Sequence, residues 1–212
     1  MIYYYCQEGW ETKKDHPIRR ARDLKPVQFV VAHLKTPFFI TFMIEQPFKT
    51  TIKEKLTLAA NNYSKLINKK IIIASNDFEY AESYVIRFYK TNFLHLTGVK
   101  TELSAEHFFE KCLAGSLFEE EFDCDSTDQR KGLVRLKMKH LININTFFNQ
   151  LLMVQENYGK NAIKCVVATS DGKCTIGFAD AKYCVRPKTI LDKNHLKKDQ
   201  KIINVTPNIK SL

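Results

Sequence analysis

Glycine and proline are scarce, seven and six among 212 residues, and neither clusters nor recurs at a fixed period. Collagen-like and linker-dominated architectures are thereby excluded. No apolar run is long. The most hydrophobic, Pro37 to Ile44, falls far short of the roughly 20 residues that a membrane-crossing helix needs. The opening residues, Met1 to Glu8, show neither the basic leader nor the apolar stretch of a secretory signal. The expectation is a cytoplasmic protein with no membrane partner.

The six cysteines, Cys6, Cys112, Cys124, Cys165, Cys174 and Cys184, form no Cys-x-x-Cys pair and no cysteine–histidine cluster with zinc spacing. In a reducing compartment such residues are small, buried and apolar. Also missing are the phosphate-cradling G-x-x-x-x-G-K-[ST], the dinucleotide G-x-G-x-x-G, the zinc-protease H-E-x-x-H and the nucleophile elbow G-x-S-x-G. No paired-carboxylate motif suggests two-metal nuclease chemistry. No metal and no small-molecule cofactor is expected.

What is present is a core and a charge. Apolar residues make up 44 % of the chain, enough to fold around a hydrophobic interior. Lys and Arg outnumber Asp and Glu by 33 to 23, a formal net charge of +10. A folded chain of that charge attracts polyanions. Nucleic acid, and RNA in particular, is the expected partner, free or in a ribonucleoprotein complex.

Strand candidates open the chain at Pro26–Val31 and Phe38–Ile44. Thr51-Ile52-Lys53-Glu54 has the spacing of a capping box, followed at helical intervals by Ile52, Leu56, Ala59, Tyr63 and Leu66 or Ile67. Ile71–Ala74 and Ser83–Tyr89 are expected as strands. Ser104 should cap a helix with an apolar face of Phe108, Phe109, Cys112 and Leu113, which Gly115 ends. Leu133 to Leu152 carries the apolar spacing of one long helix, although Val134, Leu136 and Met138 also alternate as in a strand. Asp171-Gly172 between Ile163–Ala168 and Cys174–Phe178 predicts a hairpin. Tyr183–Val185 adds a third strand, and Ile202–Val205 can join the sheet. The fold class is α+β, with a mixed or antiparallel sheet packed with helices.

Two residues stand out chemically. His95 lies between Leu94 and Leu96, before Thr97-Gly98. In a short strand it would face away from its apolar neighbours, as either a core histidine held by a carbonyl or a general acid or base. In the helical reading Lys137 sits within a stripe of Leu133, Leu141, Ile144 and Phe148, where a charge needs a partner. In the strand reading it joins Arg135 and Lys139 in a cationic row suited to phosphate. Thr169, Ser170, Thr175 and Tyr183 supply hydroxyls nearby in the sequence.

Asn92-Phe93-Leu94-His95-Leu96-Thr97-Gly98-Val99 resembles the F-x-H-L-T-G motif of a phage-type nuclease domain. That domain is grouped with barnase, EndoU, colicin-type RNases and RelE as the BECR fold. Phe108-Phe109 with Cys112-Leu113-Ala114-Gly115 resembles the helix that follows the motif. Lys137 with Leu141 and Ile144 resembles its K-x-x-x-L-x-x-L segment, and Tyr183 to Leu191 its closing Y-x-x-P-x-x-L-L pattern. The step from Tyr183 to Pro187 is one residue longer here, and Ile190 replaces a leucine. The resemblance covers residues 78–192.

It implies a nuclease domain over 76–192, an N-terminal α/β extension over 1–75 and a Lys-rich tail over 193–212. It further implies metal-independent endoribonuclease chemistry of phage or mobile-element origin, directed at a host and forming a 2′,3′-cyclic phosphate. His95 would be base or acid, and Lys137 would stabilise the phosphorane. Thr97, Thr175 and Tyr183 would position the phosphate. Lys90, Lys100, Arg135 and Lys139 would bind the nucleic acid. The alternative is a non-catalytic basic inhibitor, anti-CRISPR-like, that blocks a host defence nucleoprotein complex.

Overall fold

The computed structural model describes residues 47–212. The strands expected at Pro26–Val31 and Phe38–Ile44, and Cys6, lie outside them. Four helices and ten strands follow in the order α1 (Phe48–Ile67), β1 (Lys69–Ala74), β2 (Ser83–Arg87), α2 (Lys90–Thr97), α3 (Ala105–Ala114), α4 (Asp128–Leu141), β3 (Leu152–Glu156), β4 (Gly159–Lys160), β5 (Ile163–Lys164), β6 (Val167–Ser170), β7 (Cys174–Ala181), β8 (Cys184–Asp192), β9 (Ile203–Val205) and β10 (Asn208–Ser211). Eight strands form one sheet in the order β10-β1-β2-β8-β7-β6-β3-β9, and β4 pairs with β5 in a separate ribbon. All pairings are antiparallel except β2 with β8. The class is α+β, as the patterning predicts. The sheet runs on through β1 on one side of residue 75 and through β9 and β10 beyond residue 192.

The two-residue strand period divides the interior. Val167 joins the helix-side core with Leu152, Val154, Ile176 and Phe178. Its neighbour Ala168 joins a smaller cluster with Tyr158, Cys165 and Leu196. On the helix side, α1 buries Ile52, Leu56, Ala59, Ala60, Tyr63 and Leu66, the expected stripe. The Tyr63 ring meets Phe88, Phe93 and Phe109 edge-on, and its hydroxyl donates to Tyr89 O at 2.8 Å. From the same helix, Asn62 Nδ2 donates to Ile142 O at 2.7 Å. Thus α1 fixes the beginning of α2 and the end of α4.

Three local expectations need correction. The capping box at Thr51 does not form: α1 begins nearly a turn earlier, at Phe48 with Pro47 as its N-cap, and Thr51 Oγ1 instead donates back to Pro47 O at 3.3 Å. Proline's fixed φ and missing N–H suit a helix start. The long helix to Leu152 is three pieces. Thr127 caps α4 by accepting from Arg130 N; α4 stops at Leu141; a 3-10 turn covers Ile144–Thr146; and Leu152 opens β3. Asn143, Asn145 and Asn149 punctuate that stretch, and their short amides favour turns over helix. Finally, His95 is on a helix, not a strand.

Other local readings hold. Ser104 Oγ accepts from His107 N, and Gly115 ends α3 at φ 69°. The turn between β6 and β7 contains Gly172 at φ 89°. Leu113, however, is exposed rather than part of the buried face of α3.

Candidate active site

Helix α2 presents Phe93, Leu96 and Thr97 to the core. That i, i+3, i+4 set turns Thr91 and His95, themselves one helical turn apart, outward. Both side chains are exposed. The helix ends at Gly98, whose φ of 76° is open to glycine at little cost. Thr97 secures the turn: its Oγ1 donates to Leu94 O at 2.7 Å and accepts from Val99 N at 3.1 Å. The H-L-T-G element is therefore a helix end that holds His95 in place.

Helix α4 buries Val134, Met138 and Leu141, which leaves Lys137 at the border of the apolar stripe rather than in its middle. The aliphatic chain of Lys137 crosses Gly98, where an added Cβ would sit 3.0 Å from its Cδ. Its ammonium donates to His95 O at 3.1 Å. Lys137 is half-buried, and loss of hydration lowers its pKa to about 8. His95 is also pushed below its usual value, by partial desolvation first and then by the positive charges of Lys137 and Lys188. His95 and Lys137 thus line one open cleft of about 560 Å³, with Thr91, Gly98, Lys100 and Leu133 among its other residues.

Lys188 was not among the residues singled out from the sequence. It is the extra residue of a β-bulge: Gly177 pairs with Thr189 and Phe178 with Pro187, which leaves Lys188 unmatched. Bulges re-aim side chains. Lys188 Nζ donates to Lys164 O at 2.9 Å, and its charge reaches His95.

The other expected site residues divide. Lys100 is exposed and lines the cleft. Thr97 and Thr175 are buried, and their hydroxyls are spent on backbone groups. Thr175 Oγ1 donates to Lys193 O at 2.9 Å and accepts from His195 N at 2.9 Å. Neither lines the cleft, and both hydroxyls hold local backbone turns. Tyr183 is exposed but lines a different hollow. Lys90 pairs with Glu106 and Glu110, and Lys139 with Asp192. Arg135 lies over the Phe48 ring. The cationic row of Arg135, Lys137 and Lys139 does not form, because on a helix these residues diverge.

Among the described residues no three His, Cys, Asp or Glu side chains converge as a metal site requires. None of the described helices is long and apolar enough to cross a membrane.

No curated protein and no solved structure matches the chain. A family model does, over residues 55–212, well beyond half the chain; its description is phage-Barnase-EndoU-ColicinE5/D-RelE like nuclease4. The match takes in α2, α4, the bulged β8 and the closing strands β9 and β10, and the chain belongs to this phage-type BECR nuclease family.

Proposed function

We propose that the protein is a metal-independent endoribonuclease of phage or mobile-element origin, acting on RNA in the host cytoplasm. The observation that carries this reading is the meeting of His95 and Lys137 in one open cleft, with the ammonium held 3.1 Å from the His95 carbonyl.

Neutral His95 takes the proton of a ribose 2′-hydroxyl. The O2′–phosphorus bond forms, and the bond from phosphorus to the 5′ oxygen breaks. That oxygen takes a proton from solvent in the open cleft. The products are a 2′,3′-cyclic phosphate and a 5′-hydroxyl. Lys137 has two ammonium protons beyond the one given to His95 O, and these meet the charge that builds on the non-bridging oxygens. The lowered pKa of His95 supports the base role, since its neutral form dominates at neutral pH.

The test is incubation of the purified chain with end-labelled tRNA, mRNA and structured RNA in EDTA. Cleavage to cyclic-phosphate ends that His95→Ala abolishes supports the proposal. Intact RNA of every class, or equal cleavage by the variant, overturns it. Binding without product would transfer the case to a non-catalytic inhibitor.

A further inference from the structure

Beside the His95 cleft lies a second hollow that the cleavage chemistry leaves unused. It has a volume of about 370 Å³ and is lined by Tyr89, Thr91, Ala181, Lys182, Tyr183, Cys184 and Arg186. Two tyrosines face it with unusual exposure: Tyr89 at 40 % and Tyr183 at 82 %. Cations flank both rings. Lys182 Nζ stands 5.2 Å from the Tyr183 ring centre, and the Arg87 guanidinium 5.8 Å from that of Tyr89. Arg87 Nε is buried with no hydrogen-bond partner among the described residues. Arg186 is exposed, and among the described residues no carboxylate lines the hollow.

A lone exposed tyrosine on a β-turn needs no explanation. Two tyrosines around one cationic hollow form a surface on which a base can stack while its phosphate is held, the general arrangement for single-stranded nucleic acid. Tyr89 is anchored rather than loose. Its carbonyl accepts from Tyr63, and its hydroxyl lies 3.5 Å from Cys184 Sγ.

The hollow adjoins the cleft: Thr91 lines both. Thr91 and His95 are four residues apart on α2, about 6 Å along its axis at roughly 1.5 Å per residue. That offset suits neighbouring nucleotides of one strand: the scissile phosphate at His95 and an adjoining base at the tyrosines.

We infer that Tyr89, Tyr183 and Arg186 form a nucleotide subsite that stacks an unpaired base next to the scissile phosphate, which makes single-stranded RNA the preferred substrate. This inference rests on the proposed nuclease reading for its geometry. Its binding part can fail or stand without that reading.

The experiment uses the full chain and a 2′-O-methyl RNA oligomer, which cannot be cut, carrying 2-aminopurine. Wild type should bind it and quench the 2-aminopurine fluorescence. Tyr183→Ala should weaken binding about tenfold and lose the quenching. Tyr183→Phe, which keeps the ring, should retain both. Arg186→Ala should lower the slope of log affinity against log salt by about 0.7, one phosphate contact on a single strand.

With cleavable RNA, Tyr183→Ala should raise KM more for an oligomer that carries the adjoining base than for one with an abasic residue at that position. Equal quenching by Tyr183→Ala and wild type, tighter binding of duplex than of single strand, or no binding at all would overturn the subsite. Loss of cleavage in His95→Ala with unchanged quenching would leave both readings standing. Quenching with no cleavage by wild type would overturn only the nuclease.

Discussion

The Lys137 ammonium donates to the backbone carbonyl of His95 at 3.1 Å, so the lysine of α4 is tied to the very residue whose ring would take the proton. The two groups titrate in a useful order. His95 is neutral above a pKa that lies below its ordinary 6.5, and Lys137 stays charged up to about 8. A base that must be neutral and a cation that must be charged give a bell-shaped profile. The rate should rise through the lowered His95 pKa and fall above about pH 8. Lys137→Arg, charged at all these pH values, should remove the alkaline limb from whatever activity remains. An alkaline limb unchanged in that variant would show that another group titrates there.

Replacing His95 should remove activity but not structure. The ring is exposed on the outer face of α2, whereas Phe93, Leu96 and Thr97 do the packing. Loss of a general base costs about 10²–10⁴ in rate. His95→Ala should show that loss in kcat with a thermal midpoint close to that of wild type. A large fall in the midpoint would instead mark His95 as a structural histidine.

Lys137 should behave in the opposite way. Folding removes its ammonium from water, which the depressed pKa of about 8 records. Between that value and the ordinary 10.5 the unfolded chain holds more protons, so stability should rise with pH across this window. Lys137→Met keeps the length and removes the charge, at the loss of one hydrogen bond. At neutral pH it should raise stability by about 1–2 kcal/mol while abolishing cleavage. Denaturant unfolding at pH 7 measures the gain, and a loss of stability would contradict it.

The candidate site was legible in the sequence where the proposed chemistry needs particular residue types. His95 and Lys137 could be picked out because few residues do what they do, and the structure brings both to one cleft. The secondary structure around them was harder to read. Four residues, Leu94 to Thr97, fit strand alternation and helix period alike. What decides between them is tertiary: the burial of Phe93, Leu96 and Thr97 together, and the left-handed turn at Gly98.

Thr97 and Thr175 show the opposite case. A hydroxyl in a sequence looks available, and only the structure shows that both are spent on backbone groups. Lys188 was hidden because a bulge is a property of register between two strands. The longer step from Tyr183 to Pro187 gives no hint of it, because that stretch pairs in regular register and the bulge follows it. The caps at Ser104 and Gly115 and the turn at Gly172 could be read directly, because each depends on one residue's local chemistry.

Gly98→Ala tests whether the helix end and the lysine are one device. The φ of 76° disfavours any side chain, and the new Cβ would sit 3.0 Å from Lys137 Cδ. Left-handed strain costs about 1–3 kcal/mol. The lysine must also shift, so kcat should fall although no titrating group has been removed. Gly98→Ala combined with Lys137→Ala should recover the steric part of the stability loss but none of the activity. If the two losses simply add, the contact across Gly98 is not what couples them.

Gly177 provides the corresponding test for β8. A Cβ there would lie 2.6 Å from Cys165 Sγ and 3.1 Å from Thr189 Cγ2, both in a packed interior. Gly177→Ala should cost about 1–3 kcal/mol through overpacking. Gly177 and Phe178 of β7 also lie opposite the bulge of β8 at Lys188. A push on that pair should therefore disturb the cation that helps to hold the His95 pKa down. The expected result is a lower midpoint together with an acid limb moved to higher pH, since weaker repulsion lets His95 hold its proton longer. Removing the sulfur in a Cys165→Ala background relieves the closer clash and should restore both. A restored midpoint with the limb still displaced would separate packing at Gly177 from the placement of Lys188.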